Sequence, residues 1–418
     1  MFNRLLVIGV FVVGSLCADD GFDDEFEEDG FDDETIEIVQ TTSVKKSDHS
    51  FKGSVTFSTS YNYKHHQPVN NTNNDFRGIS SAKISSDIEY KYNIDDNYKL
   101  KSTLKLHKDF IYDLRDDNYK TTPKEYDQDI DINELYIQGE LSNNTDITIG
   151  RQIVVWGKSD NIRVTDILNP LNNTTPGMVD IEDLRLGTTM TKIDHFYDKW
   201  SFSGILLHEN RYSNLPQYGS DFAPSNQVMA NSLSVDEPTN SIKNTGFALS
   251  AKAELNGQDI ALYYSNKYVD NTTYRSNMAG FAYNKVIDSF LLKTEIAHFD
   301  NYDSSSVDKK TDALVGFEYN GISDGSISLE VANKDENIQY ALRFTQSYLN
   351  QTLDFTALAN FYGKELEDGG LIRVWFDYDI DDSLQTSFGI VDYQGGDKQN
   401  FEMIKDNDRL FASLKYSF

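Results

Sequence analysis

The sequence predicts an all-β fold: a closed antiparallel transmembrane β-barrel of about 18 strands (roughly 14 to 18), carrying one inward-folded or rim loop. Three observations carry this expectation. From residue 51 onward apolar and polar residues alternate with period two, connectors alternate between tight and long, and the chain ends on an amphipathic segment closed by Phe418.

Composition fits that class and excludes others. The 418 residues include 25 Tyr, 25 Phe and only 3 Trp, 13% aromatic in all, yet mean hydropathy is −0.54. A helical membrane protein needs apolar runs of ~18 residues or more, and no such run occurs after residue 16. A barrel with a wet lumen needs only every second residue apolar, which reconciles polarity with aromatic content.

The alternation is explicit in 79–110. Ala82, Ile84, Ile88, Tyr90 and Tyr92 share one face, opposite Lys83, Ser85, Asp87, Glu89 and Lys91. After a turn at Asp95-Asp96, Tyr98, Leu100, Leu104 and Leu106 oppose Lys99, Lys101, Thr103, Lys105 and His107. The same reading gives strands near 51–64, 79–93, 97–110, 129–141, 145–156, 188–196, 199–210, 244–255 and 258–268. It continues through 274–283, 286–298, 309–320, 326–333, 337–348, 351–361, 368–380, 382–393 and 408–418.

A soluble sandwich also alternates, so the connectors must decide. One set is turn-like: Asp95-Asp96, Ser142 to Asn144, Asp198, Asn256-Gly257, Asn284-Lys285, Gly321 to Gly325, Asn350 and Asp381. The other holds most of the long polar stretches, 65–78, 111–128, 157–187, 211–243, 299–308 and 394–407, with 269–273, 334–336 and 362–367 as short members that leave the alternation imperfect. Short periplasmic turns opposite long outer loops are the asymmetry of outer-membrane barrels. Tyr92, Tyr98, Tyr319, Tyr378 and Tyr416 fall near strand ends, where an interfacial girdle would lie, although tyrosine favours strands in general. In the final segment Leu410, Ala412, Leu414, Tyr416 and Phe418 share one parity, as a lipid-facing closing strand requires.

Residues 1–18 read as a secretory signal: Arg4, an apolar core from Leu5 to Val13, and a small-residue exit at Cys17-Ala18. Ordinary cleavage there removes the only cysteine; a lipoprotein modified at Cys17 is the rival reading, disfavoured by Leu16 where a small residue is expected. Residues 19–37 contain 12 Asp/Glu and no Lys or Arg, and Gly-Phe-Asp-Asp-Glu appears twice. The stretch 19–50 reads as a disordered acidic periplasmic tail and 51–418 as the barrel. With a net charge of −29 and no basic patch, nucleic acid is not an expected partner.

Segment 150–187 breaks the strand pattern. Arg151, Trp156, Asp160, Arg163, Asp166, Asn169, Asp180, Glu182, Asp183 and Arg185 interleave with apolar residues, which suits a loop folded into the lumen and paired with its wall. These ten are the candidate substrate-path or lumen residues; an ordered rim loop is the alternative. Arg163, Asp166, Ile167 and Asn169 fit a short helix ended by Pro170. Arg151 shares the parity of Ile147, Ile149, Ile153 and Val155, where a lipid-facing Arg at the midplane would cost ~2–4 kcal/mol. Either a bulge near Gly150 turns it away, or it lies close enough to an interface to snorkel.

The run Gly-Arg-Gln-x-x-x-Trp-Gly at 150–157, followed by Asp160, Asn169-Pro170 and Glu182-Asp183-x-Arg185, resembles an uncharacterised family of proteobacterial outer-membrane proteins, a domain of unknown function. His208-Glu209-Asn210-Arg211, Pro216 and Gly219 to Pro224 fit it too, so the resemblance covers roughly 130–225. Relatives often accompany inner-membrane pumps of the resistance-nodulation-division type and periplasmic lipid carriers. The resemblance thus implies movement of hydrophobic small molecules or lipids across the envelope.

Three function classes follow. The first is a channel for small molecules, with access set by loops 157–187 and 211–243; a general diffusion porin is its plainer form. Inward Lys83, Asp87, Lys101, Glu134, Lys293, Glu295, Arg373, Asp377 and Lys415 would give a mixed-sign wall. The second, an embedded enzyme, lacks a Gly-x-Ser-x-Gly elbow or a His-Glu-x-x-His pair, and no cofactor or metal is expected. The third is a docking component of a transport complex, with tail 19–50 meeting a periplasmic carrier or pump. The lipid bilayer and, through Phe418, the barrel-assembly machinery are the remaining expected partners.

Overall fold

Alternating residues settle into ladders where the sequence places them. A computed structural model describes residues 48–68, 74–119, 121–223, 235–301 and 309–418. The signal segment 1–18 and residues 19–47 of the acidic tail lie outside the described residues, as do 224–234 of loop 211–243. The strands are β1 (His49–Asn62), β2 (Gly78–Asn93), β3 (Tyr98–Asp109), β4 (Gln128–Ser142), β5 (Thr145–Gln152) and β6 (Thr188–Tyr197). Next come β7 (Trp200–Leu207), β8 (Gly246–Leu255), β9 (Gln258–Tyr268), β10 (Arg275–Ile287), β11 (Phe290–Asp300) and β12 (Lys309–Ile322). The last are β13 (Gly325–Lys334), β14 (Asn337–Tyr348), β15 (Leu353–Tyr362), β16 (Gly369–Asp379), β17 (Leu384–Gln394) and β18 (Arg409–Ser417).

Each strand pairs antiparallel with its chain neighbours, and β1 pairs with β18 from Ser54↔Ser417 to Asn62↔Arg409. All 18 strands therefore form one closed sheet. Closure removes the free edges that an open sheet would expose.

The sheet is inverted relative to a soluble core. On β1, Phe51, Phe57 and Tyr61 are exposed outside, while Ser54, Ser60 and Asn62 are buried inside. On β8 and β9, Phe247, Leu249, Leu262 and Tyr264 face out and Ala248, Ser250, Ala261, Tyr263 and Ser265 face in. Leu410, Leu414 and Tyr416 of β18 are exposed, the outward parity read from the sequence. Hydrophobic burial cannot favour this face in water, but hydrocarbon can solvate it.

Tight turns use residues that tolerate left-handed backbone. Asp198, Asp288 and Asp324 have φ of 51°, 52° and 55° in the β6–β7, β10–β11 and β12–β13 turns. The turn expected at Asn284-Lys285 is a correction. The β10 ladder runs on through Asn284↔Lys293 to Ile287↔Phe290, and Asp288 makes the turn instead. Both Asn284 and Asp288 have turn chemistry, and the pairing partners decide between them. Strands expected to reach 156 and 210 stop at Gln152 and Leu207, because the chain there leaves the wall for the interior.

Candidate functional site: a segment strapped across the lumen

Residues 153–187, between β5 and β6, form a strap inside the barrel. Its bonds reach inward side chains of strands far around the wall, which places the segment within the lumen and not on the rim. Glu295 of β11 accepts from Lys158 N (2.6 Å), Ser159 N (2.8 Å), Thr165 N (3.0 Å) and Thr165 Oγ1 (2.8 Å). Glu330 of β13 accepts from Asp160 N (2.8 Å), Asn161 N (3.0 Å) and Ile162 N (2.9 Å). Tyr263 of β9 accepts from Gly157 N at 3.1 Å and stacks on Trp156, ring centres 4.6 Å apart. Further round, Asp180 accepts from Arg343 of β14 (3.3 Å) and Arg373 of β16 (2.8 Å), and Tyr393 of β17 donates to the Pro176 carbonyl.

Glu295 and Glu330 are 0% and 1% exposed, so their charge would be costly without these donors. Hydrogen bonds to a charged acceptor contribute roughly 1.5–3 kcal/mol each. Seven of them convert two buried carboxylates from liabilities into anchors. The helix expected over Arg163 to Asn169 does not form. Thr165 is held to Glu295, and the Asn169 side chain bridges Val154 N (2.7 Å) and the Gln152 and Leu186 carbonyls, so tertiary bonds fix both parts of the segment.

Several of the strap's charges pair with one another or with the wall. Asp166 lies 3.0 Å from Arg163 and 2.9 Å from Arg185, and Arg163 donates to the Asn169 carbonyl at 2.8 Å. Asn169 Nδ2 donates to the Gln152 and Leu186 carbonyls, tying the strap's entry to its exit. Asp160 pairs with Lys293 of β11. Trp156, Ile162, Val164 and Leu168 pack with Met190, Ala248, Ala261, Met278, Ala297 and Leu314 into a dry core along β6–β14. Small inward residues leave room there for the strap. Glu182 and Asp183 are exposed on its short helix Ile181–Leu184.

A second connection, 208–223, lies against the first. Asn214 N donates to the Leu171 carbonyl (2.9 Å), Asn173 N to the Asn214 carbonyl (2.8 Å), and Leu171 N to Ser213 Oγ (2.8 Å). It ends on the opposite side of the barrel, where Asp221 binds Arg409 (2.8 Å), His65 (2.8 Å) and Asn62 (3.1 Å). Burial pushes the Asp221 carboxyl up, but the Arg409 guanidinium and the His65 and Asn62 donors outweigh it and hold it at about 2.

For Arg151, the bulge near Gly150 is not formed, and its charge is met by Glu209. Gly150 has a φ of 132° yet stays in the ladder opposite Tyr136, with no bulge. Arg151 remains on the outward parity of Ile149, one residue from the end of β5, 2.5 Å from Glu209 and 3.2 Å from the Ile132 carbonyl. The mixed-sign wall includes the anchors Lys293, Glu295 and Arg373, while Lys101 pairs with Glu134 at 2.7 Å. Sequence reasoning missed Glu330, Tyr263 and Arg343. Parity alone could have found Glu330, a carboxylate on the inward side of a strand whose outer face is Ile327, Leu329 and Val331.

A closed 18-strand barrel with an inward strap is the class that fold and site define, a porin-like barrel. The family described as "protein of unknown function (DUF1302)" matches residues 39–311, well over half of the chain, and the chain belongs to that family. Among solved structures it is similar to Acinetobacter baumannii OccAB3, at 10% identity, TM-score 0.56, covering 89% of this chain and 99% of that one. Matches with lower scores include Salmonella typhi OmpF in complex with daunomycin (10% identity, 88% and 97% covered, TM-score 0.44). A mutant Rh. blastica porin gives 11% identity, 88% and 100% covered, and TM-score 0.41. No curated protein matches the sequence.

Proposed function

We propose that the protein is an outer-membrane channel for small solutes, narrowed by the strap. The observation that supports this most is the pinning of 153–187 to Glu295 and Glu330 inside a closed sheet whose outer face is apolar. The strap packs dry against β6–β14. Across from it β1–β3 present Ser54, Thr56, Ser58, Lys83, Ser85, Asp87, Lys105 and His107 on the inward parity. A passage between an ordered strap and a hydroxyl- and charge-bearing wall suits hydrated solutes of limited size.

Conductance across a planar bilayer tests this reading. The wild-type barrel should conduct in discrete steps. The double variant Glu295→Ala/Glu330→Ala should show larger steps, because seven strap anchors are lost together. Silence from both proteins overturns the channel reading.

A second reading, transport of hydrophobic molecules or lipids, would need a lateral opening in the wall. Beside β4 the Gly187 backbone closes the wall against Asn133, so the reading for hydrated solutes is preferred.

A further inference from the structure

The strap crosses the lumen and comes back. It leaves the β5–β6 side at Asn169, reaches β17 at Pro176, and meets β14 and β16 at Asp180. It returns at Arg185, which pairs with Asp166, and Asn172 N donates to the Leu184 carbonyl (2.7 Å), so the outgoing and returning runs meet at that end. Residues 156–168 fill the β6–β14 side with the dry core. The passage is therefore left on the other side, between this crossing and the wall of β18 and β1–β3.

Unneutralised charge is divided across that passage. On the strap, Glu182 and Asp183 are exposed, and neither side chain has a hydrogen bond or ion pair among the described residues. The charged residues that flank them are already engaged, Asp180 by Arg343 and Arg373 and Arg185 by Asp166. No cation of 180–185 is left to offset the two carboxylates.

On the wall, Lys415 of β18 and Lys83 of β2 face inward on either side of β1, level with Thr56 and Ser58. Neither ammonium forms an ion pair within 4.0 Å among the described residues. Asp109, the ladder partner of Lys83, is taken instead by Ser81 Oγ (2.6 Å), Ala82 N (2.8 Å) and Ile111 N (3.1 Å). Lys105 and His107 of β3 differ, since Asp87 and Asp129 stand directly across the ladder from them. The net positive charge of this wall thus lies at Lys83 and Lys415, with only hydroxyls on the strand between.

Two carboxylates facing two ammoniums set up a field across the passage. A simple ion of either sign is attracted to one side and repelled by the other, and a neutral solute gains little. A molecule with both charges gains at both ends, and the low-dielectric wall strengthens the effect.

We propose that the passage favours small zwitterions, solutes bearing an ammonium and a carboxylate. Glu182 and Asp183 attract the ammonium end, and Lys83 and Lys415 the carboxylate end. The inference names the solute class of the channel proposed above and rests on that reading.

Reversal potentials of the full chain in a KCl gradient, with swelling of proteoliposomes, test it. Wild type should discriminate weakly between potassium and chloride. Glu182→Gln/Asp183→Asn should shift the permeability ratio about two- to fourfold toward chloride, and Lys83→Met/Lys415→Met as far toward potassium. That is the effect of two unit charges ~10 Å from a permeant ion and screened over a similar distance, so added salt should shrink both shifts. Swelling in the zwitterion γ-aminobutyrate, relative to the neutral polyol erythritol, should fall at least about twofold in either variant, because each lacks one pole. The four side chains hold no ion pair, so both variants should keep the heat-sensitive gel mobility of the folded barrel. If the lysine variant fails to fold, the carboxylate variant decides alone. Unshifted reversal potentials in a folded variant, or an unchanged ratio of γ-aminobutyrate to erythritol swelling, overturn the proposal and leave the channel standing. A wild-type barrel that neither conducts nor swells overturns the channel, and the selectivity with it.

Discussion

Thr165 of the strap gives both its amide and its hydroxyl to one oxygen of Glu295, at 3.0 and 2.8 Å, while Lys158 and Ser159 occupy the other oxygen. One wall carboxylate thus holds two strap segments, residues 158–159 and 165, and fixes the bend between them. Because Glu295 sits in the middle of β11, the position of the strap is set by the barrel's own register.

Thr165→Val separates anchor from scaffold. It keeps the shape and the amide bond but removes the hydroxyl donor, and a bond to a buried charge contributes roughly 1.5–3 kcal/mol. The unfolding midpoint in urea should fall by about that free energy with strap position kept, so single-channel steps should match wild type. Glu295→Ala should act differently, leaving three buried amides unpaired and freeing the strap. Trypsin should then cut after Lys158 or Arg163 in the folded barrel. A Glu295→Ala protein whose strap stays protease-resistant would show that the apolar core alone holds it.

Gly157 is constrained by space as well as by backbone. Its φ is 79°, and a Cβ there would lie 2.6 Å from Glu295 Oε1 and 2.7 Å from Thr165 Oγ1. Gly257, in the β8–β9 turn, has a similar φ of 74° but its nearest foreign atom would be 4.0 Å away. Gly257→Ala should therefore cost only the left-handed penalty, about 1 kcal/mol. Gly157→Ala should cost clearly more, roughly 2–4 kcal/mol, with displaced strap anchors. Equal thermal midpoints for the two variants would contradict the close approach.

The barrel was legible because membrane strands obey a local rule: one parity must suit hydrocarbon, and the turns between them need residues such as Asp198 and Asp324. The strap was legible only as a departure from that rule. Its charges and apolar residues marked 150–187 as something other than a flexible loop, but no local pattern says which strands receive it. Tyr263, Arg343 and Glu330 lie roughly 100 to 170 residues beyond Asp160 and Asp180, and a contact so remote leaves no periodic trace. The absent helix at 163–169 has the same origin: tertiary bonds at Thr165 and Asn169 hold the segment on a path that local propensity does not favour. The stop of β5 at Gln152 was hidden by Ile153 and Val155, which continue the alternation although the backbone has already turned inward.

Asp221 gives the folded loops a defined acid response. Its carboxyl titrates near 2 in the folded chain against a usual 3.8. A depressed value means that its contribution is complete above about pH 4 and is lost as the pH falls through about 2. The shift corresponds to roughly 2 kcal/mol. Asp221→Asn should therefore be less stable than wild type at pH 6 by about that amount, and the gap should close toward pH 2. Urea unfolding of both proteins at pH 6, 4 and 2 measures it. A gap that stays constant across this range would mean that the carboxylate charge is not what holds Asn62, His65 and Arg409 together.

Closure by β1 and β18 predicts a specific covalent link. Thr59 and Ala412 are direct partners in that ladder, both on the outward parity, flanked by Phe57↔Leu414 and Tyr61↔Leu410. Directly opposed strand residues stand ~4.5–5.5 Å apart at Cα, within reach of a disulfide. In a chain that also carries Cys17→Ser, Thr59→Cys/Ala412→Cys holds only the introduced pair. Mild oxidation should link it in high yield and make the barrel harder to unfold, since the bridge closes a loop of more than 350 residues. Reduction should restore wild-type behaviour. A register slipped by one residue would turn one cysteine inward and prevent the bond, so Thr59→Cys/Phe411→Cys serves as the control that must stay reduced. If the control links and the matched pair does not, the register is off by one; if neither links, the first and last strands are not paired.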